Sequence, residues 1–352
     1  MKPVGKNMKE YYSKTPYGLQ TNGFQWLQKL VAKKAGKLPY DFSNKAEWEQ
    51  FKCTMRYKIP TVCGIPSFPP MKEAFIRSRS RLGEDVVVER VDIYVDDDYS
   101  IPSFVFYGEK YENTKMPAIL MCQGWTGDKW HVDYQKFAAR MAKQGIMALI
   151  FDHIPDGETG FIGMDVMRKS TLATYLCAVL GISQFTLRVA EAMRAGEYLR
   201  NRADVDASRV GITGVCQGGM DTWFTAALDD GFCCAAPILS ASTYGIHMTE
   251  MASYRNNADS TPFPFGILDV CDVEHLHGAI APRPLLVRGN LPDNWWPTSG
   301  FDSIEAFCDK IYGFYDAKDK IDFRFEINEH NITNQFVEAL DKFFNKYLLG
   351  DQ

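Results

Sequence analysis

The run Val210-Gly211-Ile212-Thr213-Gly214-Val215-Cys216-Gln217-Gly218-Gly219-Met220 admits very few folds. Its first half is an apolar, β-branched strand, its second half opens a helix, and Cys216 stands between them. A chain that passes from strand to helix over one residue forces that residue into strained geometry, so the positions two before and two after it must be small. Gly214 and Gly218 occupy those positions, Gly219 is a third small residue, and Asp206-Ala207-Ser208-Arg209 provides a turn ahead of the strand. The pattern predicts a nucleophile elbow carrying sulfur, with the Gln217 N–H aimed at a reacting carbonyl. The plainer alternative is a buried free cysteine in a glycine-rich turn.

Around this run, short apolar strands alternate with helices. Val86 to Ile93 and Ser103 to Tyr107 form an antiparallel pair joined through Asp96-Asp97-Asp98. Strands follow at Ala118 to Cys122, Met147 to Phe151, Cys234 to Leu239, Pro284 to Arg288 and Asp322 to Ile327. Helices are expected at Tyr134 to Gln144, Gln184 to Arg202, Met220 to Asp229 and Asn334 to Leu349. Strands this rich in Val, Ile and Leu belong in a mostly parallel sheet covered on both faces, which makes the chain an α/β protein. Residues 1–80 carry helix-like segments, Asn22 to Lys37 and Lys45 to Met55, then a Pro-rich passage, and are read as an N-terminal helical extension. Residues 81–352 form the α/β domain, with insertions near 155–183 and 240–282 that shape a ligand site or lid.

Composition narrows the function. With 352 residues, 46% hydrophobic and 24% charged, the chain buries a large core. A net charge of -5 without a basic stripe argues against nucleic acid and anionic membranes. The first residues lack the apolar core of a signal peptide, and the most apolar stretch, Thr171 to Ile182, is too short to span a bilayer. Nine cysteines without CxxC or Cys/His zinc spacing fit a reducing compartment, and the expectation is a cytoplasmic protein. His275 and His277 lack the neighbouring ligands of a metal site, and neither GxGxxG nor GxxxxGK[ST] occurs, so no metal and no cofactor is expected.

A thiol nucleophile needs a base, and the base needs an acceptor that orients it. Among six histidines, His330 follows the last strand and precedes the last helix, where a loop at the sheet's carboxyl edge can present it to Cys216. Asp293, in Gly289-Asn290-Leu291-Pro292-Asp293-Asn294-Trp295-Trp296-Pro297, follows the preceding strand, with Asp269, Asp272 and Asp302 as other acids in reach. The order nucleophile, acid, base is then Cys216, Asp293, His330. The loop Cys122-Gln123-Gly124-Trp125 offers the Trp125 N–H as the second oxyanion donor beside Gln217. Gln123, His153, Tyr244 and His247 are candidate pocket residues, and Tyr244 to Phe265 reads as a pocket wall or lid.

At these residues the chain resembles the α/β-hydrolase superfamily, in particular its dienelactone hydrolase and acetyl xylan esterase-like branches. The resemblance spans Val86 to the C-terminus. It rests on Gln123-Gly124-Trp125, Phe151-Asp152 with Asp156-Gly157-Glu158, the elbow, Ile280-Ala281-Pro282-Arg283-Pro284, Asp293 and His330. It implies an α/β-hydrolase fold with lid insertions and a small-molecule acyl substrate. The chain departs from the pattern at Gln123, where histidine is usual, and at Cys216, where most such esterases carry serine and dienelactone hydrolases carry cysteine. The implied activity is cleavage of an ester, lactone or thioester through an acyl-thioenzyme. A cysteine-dependent acyltransferase and a catalytically silent ligand-binding protein are the alternatives, and the oligomeric state stays open.

Overall fold

Strands covered on both faces bury every residue, and Met116–Cys122, Met147–Phe151 and Cys234–Ile238 do so. They lie in one nine-stranded sheet. The computed structural model describes residues 23–125, 127–160, 162–250, 263–291, 293, 295–327 and 330–350. Its strands are β1 (Phe75–Leu82), β2 (Val86–Tyr94), β3 (Ser100–Gly108), β4 (Met116–Cys122), β5 (Met147–Phe151), β6 (Val205–Val215), β7 (Cys234–Ile238), β8 (Leu285–Leu291) and β9 (Ile321–Ile327), in the order β1-β2-β3-β5-β4-β6-β7-β8-β9. The first three strands and the β3–β5 pair are antiparallel, and every pairing from β5 to β9 is parallel.

The helices are α1 (Gly23–Ala35), α2 (Lys45–Cys63), α3 (Val132–Gln144), α4 (Val166–Val179), α5 (Gln184–Asn201), α6 (Gln217–Leu228), α7 (Tyr244–Glu250), α8 (Val273–Gly278), α9 (Thr298–Gly313) and α10 (Asn334–Phe344). Because successive side chains of a strand point to opposite faces, β4 feeds two separate cores. Ala118, Leu120 and Cys122 join the layer built by α2, α5, α6, α8 and α9, while Ile119 and Met121 join the layer of α3 and α10. Among the described residues no single helix is long and apolar enough to cross a membrane.

The reading of residues 1–80 as a helical extension needs two corrections. First, β1 starts inside that range and runs past it to Leu82, so the sheet begins before residue 81. Nothing in Phe75-Ile-Arg-Ser-Arg-Ser-Arg-Leu82 betrays a core strand, because all eight residues are exposed. The strand is held by pairing with β2 and by Arg77–Asp92, Arg79–Glu112 and Arg81–Glu109 ion pairs, and its alternating arginines suit a sheet edge. Second, α2 is not an appendage. It starts at an Asn44 cap accepting from the Glu47 N–H at 3.1 Å and runs to Cys63, with Pro60 in its last turn and Gly64 (φ 66°) stopping it. Its Trp48, Met55, Ile59 and Cys63 are fully buried in the same core as β4 and α6. The stretch after Pro297 also holds a helix, α9, that the alternation of strands did not reveal.

Trp48 packs against Phe42 (5.1 Å between ring centres), Phe307 (5.7 Å) and Phe51 (5.8 Å). Trp48→Ala therefore opens a cavity in the shared core and is expected to lower stability by about 3–5 kcal/mol. Chemical denaturation would read this as one shifted transition. A separate early transition with the main one unmoved would show instead that the leader folds apart from the sheet.

Candidate active site

β6 ends between β4 and β7, and at its carboxyl end the chain reverses into α6 through Cys216 alone. Cys216 has φ 56° and ψ −119°, a conformation that costs a side-chain-bearing residue about 1–3 kcal/mol. Close packing enforces it. A Cβ on Gly214 would sit 2.2 Å from the Gly218 carbonyl oxygen, and one on Gly218 would sit 2.1 Å from the Cys122 carbonyl oxygen. The Cys216 N–H donates to Ile238 O at 2.9 Å, which ties the elbow to β7.

Cys216 opens into a cavity of about 500 Å³ whose lining includes Gly124, Trp125, Gln217, His247, Trp296 and His330. Gln217 is the first residue of α6, so its N–H has no intrahelical acceptor. Among the described residues neither that N–H nor the Trp125 N–H is consumed by a backbone carbonyl. Both residues belong to the cavity lining beside Cys216.

The acid and base arrive from the loops after β8 and β9. His330 Nδ1 lies 3.0 and 3.2 Å from the two Asp293 carboxylate oxygens. Asp293 is itself fixed by the Trp295 N–H (2.7 Å) and the Trp296 N–H (3.2 Å), and the Asn290 side-chain amide holds the His330 loop through Asn331 O at 3.1 Å. Burial alone would depress the His330 imidazolium, but hydrogen bonding with Asp293 and the nearby Cys216 side chain outweigh it and push its pKa up to about 10. Nε2 has no well-aligned hydrogen-bond partner among the described residues, although the thiol is near enough to act on the ring. Nε2 is thus the ring nitrogen left without a carboxylate partner.

Of the four residues read as pocket lining, only His247 lines the cavity. Its ring meets Trp296 edge-on at 4.7 Å, and burial pushes its pKa down to about 4, so it presents a neutral imidazole at neutral pH. Gln123, His153 and Tyr244 require correction. Gln123 is fully buried beneath the loop, and its carbonyl accepts from Arg188 Nη2 at 2.8 Å. His153 is sealed in a charged cluster, with Nδ1 3.1 Å from Glu191 and Nε2 3.5 Å from Asp221. Burial, with Arg188 adding to it, holds that imidazole well below its ordinary pKa. Tyr244 caps the wall from behind, its N–H donating to Asp272 at 2.6 Å and its ring resting on Phe263 and Trp223. The lid expected over Tyr244 to Phe265 includes residues 251–262, which fall outside the described residues. The other acids in reach serve elsewhere: Asp272 caps α8 and Asp269 pairs with Lys34.

Two contributors escaped sequence reasoning. Tyr134, near the start of α3, accepts the Gly124 N–H at 2.9 Å and lines the cavity. Arg188, on α5, joins the oxyanion loop to the nucleophile helix by binding both Gln123 O and Asp221, the latter at 2.7 Å. Neither is signalled by a local pattern, because each acts on a partner more than thirty positions away or across a loop of no fixed length.

A central strand-to-helix elbow, a Gly-Trp loop after β4 and an Asp–His pair after β8 and β9 on a mostly parallel sheet have the architecture of an α/β-hydrolase fold. Within it, residues 104–260, from β3 through the elbow and beyond β7, match the Dienelactone hydrolase family. The chain is 24% identical over 269 residues to the putative hydrolase YtaP of Bacillus subtilis (strain 168), which covers 72% of this chain and 85% of that protein. Among solved structures, Methylesterase BT1017 superimposes with a TM-score of 0.70 at 18% identity over 92% of this chain and 68% of its own. A putative acetyl xylan esterase from Bacteroides fragilis gives 0.69 at 16% identity (89% and 84%), and a glucuronoyl esterase from Solibacter usitatus 0.65 at 16% (88% and 95%).

The raised pKa of His330 has a definite sign. A cation held above its ordinary 6.5 contributes stability that is complete below that pH and is lost as pH climbs through about 10. Asp293→Asn is therefore expected to move the His330 imidazole titration, followed by NMR, down from about 10, and to widen the stability gap to the wild type most near pH 6. An unchanged His330 titration would show that Asp293 does not hold the proton.

Proposed function

We propose that this chain is a carboxylic ester hydrolase that cleaves an ester, lactone or thioester of a small molecule through an acyl-thioenzyme on Cys216. The observation that carries the reading is the convergence of the strained elbow, the Asp293–His330 pair and two free backbone N–H groups on one cavity. The names of the similar structures, a methylesterase, an acetyl xylan esterase and a glucuronoyl esterase, support ester cleavage.

The thiolate form of Cys216 attacks the substrate carbonyl carbon through Sγ, with the protonated His330 beside it. The C–S bond forms, the carbonyl π electrons move to oxygen, and the Gln217 and Trp125 N–H groups stabilise the resulting charge. On collapse the bond to the leaving group breaks, and His330 Nε2 supplies its proton. A water activated by the now neutral His330 then attacks the thioester, and Cys216 departs as the leaving group. Asp293 holds the ring and offsets its charge throughout. Sulfur is a better leaving group than an alkoxide, so acidic leaving groups such as phenols, enols, thiols and strained lactones are the favoured substrates.

Brief exposure to aryl esters followed by acid quench and intact-protein mass measurement tests the scheme. The wild type is expected to gain one acyl mass, Cys216→Ala to gain none, and His330→Ala to lose at least about 10³-fold in kcat/KM. Turnover of esters with weakly acidic alcohols should fall as pH rises through about 10, while alkylation of Cys216 by iodoacetamide should not, because only the former needs the His330 proton. Acyl mass persisting in Cys216→Ala would refute the assignment. Product formed only when an amine or alcohol acceptor is added would make the enzyme an acyltransferase.

A further inference from the structure

Among the side chains that line the cavity is a hydrogen-bond donor that stands beside Cys216, further to the two backbone groups. Tyr134 projects from the first turn of α3 into the wall shared with Gly124 and Cys216. A Cβ placed on Gly124 would lie 3.6 Å from the Tyr134 hydroxyl and 3.7 Å from Cys216 Cβ, so all three crowd around one point of the oxyanion loop. The hydroxyl accepts the Gly124 N–H at 2.9 Å. A phenol has one hydrogen of its own to give, and among the described residues no acceptor receives it. Burial, against a partly opposing hydrogen bond from Gly124, raises the pKa of the phenol, so it keeps that hydrogen across the working pH range.

We infer that the Tyr134 hydroxyl is a catalytic residue: a third oxyanion donor, polarised by the Gly124 N–H it accepts and directed at the carbonyl oxygen that turns anionic when Cys216 attacks. This rests on the acyl-thioenzyme reading and extends it. No proton leaves Tyr134. As the C–S bond forms and the carbonyl π pair moves to oxygen, the O–H hydrogen bond shortens on that oxygen, and it relaxes when the carbonyl re-forms and the leaving group departs with the His330 proton. Accepting from a loop N–H while donating to the oxyanion makes the hydroxyl more acidic in the hydrogen-bonding sense, since hydrogen bonds in a chain polarise one another. The same contact fixes the loop that carries Trp125, so one side chain would both supply a donor and set the position of another.

The test separates donating from loop positioning. A peptide-free aryl aldehyde forms a thiohemiacetal on Cys216, with the same developing oxygen charge but no leaving group, whereas iodoacetamide alkylates the thiol without creating any oxyanion. Tyr134→Phe is expected to weaken aldehyde binding and lower kcat for aryl esters by a similar factor, about 10²-fold, with KM within about threefold and the iodoacetamide rate within about twofold. Replacement of Tyr134 by 3-fluorotyrosine preserves shape and hydroxyl but makes a stronger donor and a weaker acceptor. Aldehyde affinity held or increased in that variant supports donation to the oxyanion. Affinity that falls with fluorination, or an iodoacetamide rate that falls as far as kcat in Tyr134→Phe, overturns it and leaves only a structural contact with Gly124. Full activity in Tyr134→Phe overturns it as well. The aldehyde measurement stands even if no ester acylates the wild type, so failure of the hydrolase reading and failure of this inference are distinguishable.

Discussion

The close approach of Gly218 to the Cys122 carbonyl is the contact on which the site depends. It brings the start of α6 against the end of β4, leaving no room for a Cβ at Gly214 or Gly218 and forcing Cys216 to positive φ. The strain is local, while its support is distributed across β4, β6 and β7 through parallel pairing and the Cys216–Ile238 hydrogen bond. A nucleophile raised on a strained turn stays in place because the surrounding sheet over-determines it. The same juxtaposition puts the loop after β4 alongside the first turn of α6, so nucleophile and oxyanion groups are positioned by one packing event.

Behind this front lies a second, charged layer. Arg188 is fully buried, yet it binds Asp221 on the nucleophile helix and Gln123 O on the oxyanion loop, with Asp156 3.7 Å away. Burial raises Asp221 to about 6 and Glu191 to about 8 against the opposing pull of Arg188 on both. Removing one partner from such a network leaves an unpaired buried charge, so its members are held to one arrangement. The layer gives the loop a rigid backing that no apolar contact could aim so narrowly.

Much of this was legible in the chain because it rests on local rules. Glycine spacing around Cys216 exposed the elbow, apolar runs exposed the central strands, and the position of His330 between the last strand and last helix placed it on the same cavity as Cys216. Asp293 was recoverable for the same reason, since it follows β8 within three residues. What stayed hidden depends on partners remote in sequence. The edge strand β1 has no buried face to impose a period. Tyr134 and Arg188 take their roles from loops they meet only after folding. Gln123, His153 and Tyr244 were polar residues at the right ends of the right strands, but Gln123 meets Arg188 and Tyr244 meets Asp272 through backbone atoms, His153 meets Glu191 through its ring, and all three are buried outside the cavity lining. Topology placed them near the site, and rotamer and burial, which sequence does not display, kept them out of it.

The distribution of the site along the chain carries its own consequence for synthesis. Nucleophile and oxyanion loop lie within the first two thirds, whereas Asp293 and His330 arrive on β8, β9 and their loops near the end. A growing chain that has completed β4, β6 and α6 holds Cys216 without His330 beside it, and the parallel strands that bring His330 must add by long-range pairing, an intrinsically slow event. Cys216 therefore meets His330 only when the edge formed by β8 and β9 docks. Docking of β8 and β9 is what carries the Asp293–His330 pair to Cys216, and a chain that stops before β8 keeps the elbow without that pair.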